Sequence, residues 1–338
     1  MSYPLIILGA GASHDYIHPS LRGGQLMPPT TDHLTDVSYI DDHIARSYKE
    51  VDDLISVIAP RVNSKVKSLE ECLRDIKNHE QLVAFRFYLK NFFRKFPYYP
   101  RNNYCLLVDH IKRTSTQKAC VVSFNYDTFF DRAIGADFTE MPSYIYGKIQ
   151  LVKVHGSCNW SYVHRSDFQE IGLVSDDPYE YLKSTPQYKP GEPYTDDKIA
   201  TLPVGMMGFP AIAIPTGETK TFVCPISHIE ALKKSMREVD RILIIGWKAG
   251  DPHLLKLMEE CITQPVSIVI VSGTLAGADK IWEQLINIKH KKLLGKIEGF
   301  SKFVLDPLLD TFFDLDSRGV FYSFLFAFGY NIITFHLT

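Results

Sequence analysis

The chain has 338 residues, 45% hydrophobic and 22% charged, enough to bury one large core or two modest ones. Its 37 basic residues nearly balance 39 acidic ones, which excludes a global field favouring nucleic acid or a membrane surface. Six scattered cysteines (Cys72, Cys105, Cys120, Cys158, Cys224 and Cys261) form no CxxC pair, which argues against a disulfide framework and a paired-cysteine zinc site and makes the cytoplasm the expected compartment.

The opening run, MSYPLIILGAGAS, has no basic start and no cleavage-type small-residue site, so it reads as a buried strand over Leu5–Leu8 and not as a secretion signal. Gly9-Ala10-Gly11-Ala12-Ser13 follows directly. Glycines here either let the backbone approach a pyrophosphate with its N–H groups or simply make a tight strand-to-loop turn. A Walker loop is ruled out, because no Gly-Lys-Ser/Thr follows. The dehydrogenase fingerprint is weakened: His14 stands where the third glycine belongs, and no apolar strand precedes Asp32 or Asp36.

Residues 33–118 read as a helical insertion. Val51, Leu54, Ile55 and Ile58 keep helical spacing, and one long helix is expected from Leu69 to Phe96, stopped by Pro97 and Pro100. A third helix is expected over Tyr104–Arg113, capped by Asn102 or Asn103. Further apolar runs at Ala119–Phe124, Ile149–His155, Ala211–Ile214, Ile242–Ile245 and Val266–Val271 lack alternation, as strands of a parallel sheet covered on both faces do. The span 157–207, rich in Tyr, Pro, Asp, Ser and Gly, reads as a loop-dominated insertion. Ser227 with Glu230 suggests a capping box, and Asp251-Pro252 suggests a second helix start. Residues 319–338 carry no Asp, Glu, Lys or Arg, a length that could cross a bilayer. Gly319, Gly329, Asn331 and His336 dilute this stretch and no basic cluster flanks it, so it is expected to pack on the core or to serve assembly.

Three strand ends carry chemistry. VVSFNYD ends in Asn125 and Asp127, which either cap the next helix or face a ligand at the carboxyl edge of the sheet. LVKVHG ends in His155, placed as an acid or base near neutral pH or held structurally. DRILIIGW turns at Gly246, which permits close approach or is an ordinary βα turn.

Taken in order over residues 3–275, Gly-Ala-Gly-x-Ser, Asn-x-Asp, His-Gly and a late strand ending in glycine resemble the sirtuin family. The likeness is strongest to the zinc-less sirtuin-like domains of bacterial anti-phage defence systems. The resemblance implies an α/β fold: a Rossmann-like parallel sheet with helices on both faces, a helical insertion after the first strand and no zinc ribbon. It places an NAD-binding domain at 1–295, with insertions at 33–118 and 157–207, followed by an apolar segment at 296–338 as a candidate assembly element. NAD+ would be the substrate, with no metal. Gly9, Ala10, Gly11 and Ser13 would meet its pyrophosphate and Gly246 its adenine ribose, Asp127 would contact the nicotinamide carboxamide, Asn125 would order a water, and His155 would act as base at the ribose hydroxyls.

The chain departs from the family in three places. Ser123-Phe124 replaces Thr-Gln, Val271-Ser272-Gly273 replaces an asparagine-bearing strand end, and the four zinc cysteines that support the deacylase groove are missing. The expected activity is therefore NAD+ hydrolysis to ADP-ribose and nicotinamide by a regulated defence effector. The alternatives are a non-catalytic NAD or ADP-ribose sensor or scaffold, and a deacylase or ADP-ribosyltransferase. The resemblance further implies a homo-oligomer acting with a DNA-translocating ATPase or an Argonaute-like module, while the balanced charge argues against direct nucleic-acid binding and the unflanked tail against a membrane role.

Overall fold

The computed structural model describes residues 3–36, 47–114, 118–165, 177–184, 190–201, 206–214, 222–288 and 291–313. Among them the strands are β1 (Tyr3–Leu8), β2 (Ala119–Ser123), β3 (Ile149–Lys153), β4 (Gly156–Arg165), β5 (Pro193–Thr195), β6 (Met206–Ile212), β7 (Val239–Ile245), β8 (Val266–Ser272) and β9 (Lys291–Glu298). Six form one parallel sheet in the order β3-β2-β1-β7-β8-β9, and the other three form an antiparallel sheet in the order β5-β4-β6. Leu5–Leu8 lies in register between Cys120–Ser123 and Ile242–Ile245. Every residue of Leu5–Leu8, Ala119–Val122, Ile242–Ile245 and Ile268–Val271 is at most 1% exposed. Helices packed around the sheet cover these strands, which is why their sequences run apolar without alternation. The architecture is α/β and Rossmann-like.

Two strands depart from expectation. Ala211–Ile214 does not join the parallel sheet: its first two residues end β6, which pairs antiparallel with β4 through Tyr162↔Phe209 and Gly156↔Ile212. A buried apolar run looks the same in either sheet, so hydropathy could not assign it. The sixth parallel strand, β9, was hidden by the charges in KKLLGKIE, which an edge strand tolerates because one side is unpaired. It runs across the 295/296 boundary. The helices Phe300–Phe303 and Pro307–Phe313 that follow bury Phe303 and Phe312 completely.

The span expected to be loop-dominated, 157–207, holds β5 and nearly all of β4, two of the three strands of the small antiparallel sheet. Its buried residues include Ser157, Ser161 and Thr195 beside Cys158 and Trp160, so polarity concealed it. Lys90, on the helix His79–Arg94, donates to Trp160 O (3.0 Å) and Ser161 Oγ and pairs with Asp196 Oδ1 (2.9 Å), joining the helical insertion to this sheet.

The long helix expected over Leu69–Phe96 is two, Leu69–Arg74 and His79–Arg94, because each has its own cap. Ser68 and Glu71 form a capping box, and Asn78 Oδ1 accepts from Glu80 N (2.9 Å). Asn102 Oδ1 accepts from Cys105 N (3.0 Å) at the start of Asn103–Thr114. The Ser227–Glu230 box does not form. The helix begins at Ile226 behind Pro225, which puts Ser227 inside the first turn. Asp251-Pro252 does open the helix Pro252–Cys261. Among the described residues no helix is long and apolar enough to cross a membrane. The stretches 215–221 and 314–338, with the expectations placed on them, lie outside the described residues.

Candidate functional site

Because the six strands are parallel, their carboxyl ends share one edge. The chain steps outward from β1 to β2 to β3, then returns to the other side of β1 as β7. That makes β1/β7 a topological switch point, where open α/β sheets form a crevice.

The glycine turn after β1 and Gly246 after β7 meet there in direct backbone contact. Gly9 N donates to Ile245 O (2.9 Å) and Gly11 N to Gly246 O (3.1 Å). Gly246 has φ +62°, and a Cβ on it would lie 2.3 Å from Ala12 N. These glycines are thus required first by the fit of two turns. Gly246→Ala is expected to cost about 2–4 kcal/mol, from overpacking plus a left-handed L-residue; urea denaturation measures it. Just beyond the turn, Asp15 accepts from Ser301 N (2.9 Å) and pairs with Arg22 (2.8 Å), which anchors the turn to the helix Phe300–Phe303.

The β2 end brings Asn125 and Asp127 together with Ser13. Asn125 is 7% exposed, and its Nδ2 donates to Ser13 Oγ (2.9 Å) and Tyr104 OH (3.2 Å). Ser13 Oγ and Tyr104 OH are themselves 2.9 Å apart. Both hydroxyl oxygens thus accept from the Asn125 amide NH2. Asn125 Oδ1 is left buried and without a hydrogen-bond partner among the described residues.

Asp127 lies beneath, 3% exposed, with Oδ1 accepting from Phe129 N (3.0 Å). Burial raises its pKa above the ordinary carboxylate value, against the opposing pull of the Lys153 charge, the Ser13 hydroxyl and the Phe129 amide. Lys153, the last residue of β3, is fully buried; its Nζ donates to Asp127 O and pairs with Asp131 Oδ2 (3.1 Å).

His155 follows β3, its side chain 28% exposed. Its Nε2 lies 3.1 Å from Asp251 Oδ2. Its ring stands edge-on to Phe124 (centroids 4.8 Å apart), and Phe124 stacks on Trp247 (5.3 Å). Gly156, at φ +79°, then turns the chain into β4, where any Cβ would strike Ala211 O. Asp251 Oδ1 caps its helix through Leu254 N (2.8 Å). Burial would raise the Asp251 value, but the hydrogen bonds from His155 and Leu254 outweigh it and hold the carboxyl below 3.8. With the folded value depressed, its contribution to stability is present above pH 3.8 and lost as pH falls through the folded value.

The expected residues Gly9, Ala10, Gly11, Ser13, Asn125, Asp127, His155 and Gly246 therefore share one sheet edge. Within that edge Ser13 Oγ accepts from Asn125 and Asp127 Oδ1 accepts from Phe129 N. Tyr104, Lys153 and Asp251 escaped sequence reasoning. Only Asp251 had a signal, and it was read solely as a helix cap. Among the described residues no group of three or more His, Cys, Asp or Glu side chains could hold a metal ion.

Solved structures of Sir2 enzymes are similar to the chain. One, solved for the mechanism and regulation of Sir2 enzymes, shares 15% identity over 94% of each chain at a TM-score of 0.42. A Sir2 homologue in complex with NAD shares 14% identity over 91% of this chain and 88% of its own, at 0.39. A Sir2 complex with a p53 peptide and NAD+ shares 11% over 91% and 93%, at 0.40. No protein-family model and no curated protein matches the chain.

Proposed function

We propose that the protein is an NAD+ hydrolase, releasing nicotinamide and ADP-ribose. The observation that carries this reading is the placement of Asn125 and His155 at the carboxyl ends of the neighbouring strands β2 and β3, beside the glycine turn at the β1/β7 switch point. Gly9, Ala10, Gly11 and Gly246 form the floor on which the pyrophosphate and adenine ribose would rest. Ser13 would meet the pyrophosphate beside them, and Asp127 the nicotinamide carboxamide.

The glycosidic electron pair leaves with the nicotinamide nitrogen, neutralising the pyridinium and leaving an oxocarbenium-like ribose, as in other glycosyl cleavages. Water adds to that carbon. The unpartnered Oδ1 of Asn125 accepts a hydrogen bond from this water, and His155 takes the proton the water loses, directly or through a ribose hydroxyl.

The sequence resemblance supports a regulated cytoplasmic effector of anti-phage defence, working as a homo-oligomer with an ATPase or Argonaute-like partner. Light scattering with and without residues 319–338 tests the assembly role of that segment.

Incubating the full chain with NAD+ and weighing the products tests the activity. Equimolar nicotinamide and ADP-ribose is the expected result. A cyclic product, turnover only when an acylated peptide is added, or thermal stabilisation by NAD+ without nicotinamide release even with a candidate partner would each replace hydrolysis by cyclisation, deacylation or sensing.

A further inference from the structure

We propose that Asp251 is the positioning residue for His155, fixing the imidazole as the tautomer protonated on Nε2 with its lone pair on Nδ1. Asp251 has two separate tasks in this structure. Oδ1 accepts from Leu254 N (2.8 Å), which alone satisfies the helix start, while Oδ2 is left for His155 Nε2 at 3.1 Å. Held below its ordinary range, the carboxyl is ionised at neutral pH and can only accept. The imidazole must therefore donate from Nε2.

The backbone that delivers Asp251 is itself unusual. Between Gly246 and Asp251, Ala249 adopts φ +54° while fully buried, a left-handed conformation that costs an L-residue energy and is kept only where the surroundings require it. The ring is held from a second direction by the Phe124 edge contact, so its orientation and its tautomer are both set. His253 is the other titratable group whose charge bears on Asp251; it lies one residue beyond Pro252 on the same helix.

The consequence for turnover rests on the NAD+ hydrolase reading; the tautomer does not. Asp251→Asn separates the two tasks. Asparagine is as good a helix cap as aspartate. If its single oxygen stays on Leu254 N, its NH2 faces His155 and donates, which forces Nε2 to accept and moves the proton to Nδ1.

The readout is nitrogen NMR of the full chain labelled at histidine, with His155 assigned among the twelve histidines by its disappearance in His155→Gln. The wild type should show a protonated Nε2 and a bare Nδ1, and Asp251→Asn the reverse. A protonated Nδ1 in the wild type, or an unchanged tautomer in Asp251→Asn, overturns the proposal whether or not the protein turns over NAD+.

In the nicotinamide-release assay, Asp251→Asn should lose about 10²-fold or more in kcat with KM little changed, the scale of a misplaced general base. Asp251→Glu should recover part of it. Wild-type kcat in Asp251→Asn despite an inverted tautomer would overturn the positioning role. No release by the wild type would instead count against the hydrolase reading. Asp251→Ala, which also loses the cap, should melt earlier than Asp251→Asn; equal melting would mean that Oδ1 does not cap the helix.

Discussion

Alanine at Asn125 is expected to reduce nicotinamide release from NAD+ by about 10²–10⁴-fold, and alanine at His155 by a similar factor. The two losses have different origins. At Asn125 the side chain sits in a closed hydrogen-bond circuit in which Ser13 and Tyr104 take both amide protons, so Oδ1 is presented in one orientation without an entropic cost at the moment of reaction. Truncation removes the acceptor that places the water and also leaves two buried hydroxyls short of a donor. The second effect costs about 1–3 kcal/mol of stability, so the assay belongs well below the melting temperature, with a melting curve beside it. His155 is partly exposed, and alanine there removes one hydrogen bond to Asp251 and one ring contact with Phe124, a loss of about 1 kcal/mol for the hydrogen bond. His155→Ala should therefore fold with nearly wild-type stability and still lose turnover. Wild-type turnover in both variants would remove the assignment of this edge as the reacting site. A loss confined to Asn125→Ala would leave water placement intact and strip His155 of its role as base.

Much of this was legible along the chain, for a physical reason. Strands of a parallel sheet are buried on both faces, so β1, β2, β7 and β8 stand out as unbroken apolar runs, and whatever polar residue ends such a run must lie at the ligand-binding edge. Gly9, Asn125, His155 and Gly246 could be picked out on that basis. What stayed hidden was polar burial and long-range pairing. Ser157, Ser161 and Thr195 lie inside the small sheet, yet read as loop. Tyr104 reaches Ser13 across 91 residues and His155 reaches Asp251 across 96, separations at which no local pattern remains. Ser13 and Asp127 matched a motif by position, but a motif carries no partners: that Ser13 Oγ would accept from Asn125 and Asp127 Oδ1 from Phe129 N was not legible.

Lys153→Met is expected to destabilise the protein by about 3–5 kcal/mol, the cost of leaving a buried partner charge unpaired. Against a total stability of about 5–15 kcal/mol that is a large share. Lys153 ends β3 two residues before His155, and its ammonium is surrounded by Asp131 Oδ2 at 3.1 Å and the Asp127 carbonyl oxygen. Asp131 in turn accepts from Tyr144 OH (3.2 Å), which accepts from Trp160 Nε1 (3.1 Å), so the pair also links the parallel sheet to β4. Methionine fills the same volume but strands the Asp131 carboxylate and frees the carbonyl that fixes the Phe124–Asp127 turn. Adding Asp131→Leu removes the stranded charge and should recover most of the loss, since a buried ion pair and a hydrophobic pair of similar volume are nearly equal in stability.

A pH series sharpens the test. Asp127 has a folded value raised above 3.8, so the folded state binds its proton longer than the unfolded chain and stability falls as pH climbs from 3.8 through the folded value. Lys153 is the nearest opposing charge, and without it that window should widen toward neutral pH. Urea denaturation of the wild type, Lys153→Met and the double variant at pH 5 and 7 reads both effects. A single-variant loss under about 1 kcal/mol, within the range of exposed ion pairs, would mean that the pair does not hold the site edge. A large loss in Lys153→Met that the double variant fails to reverse would place the lysine's contribution in the Asp127 carbonyl and the turn bearing Asn125.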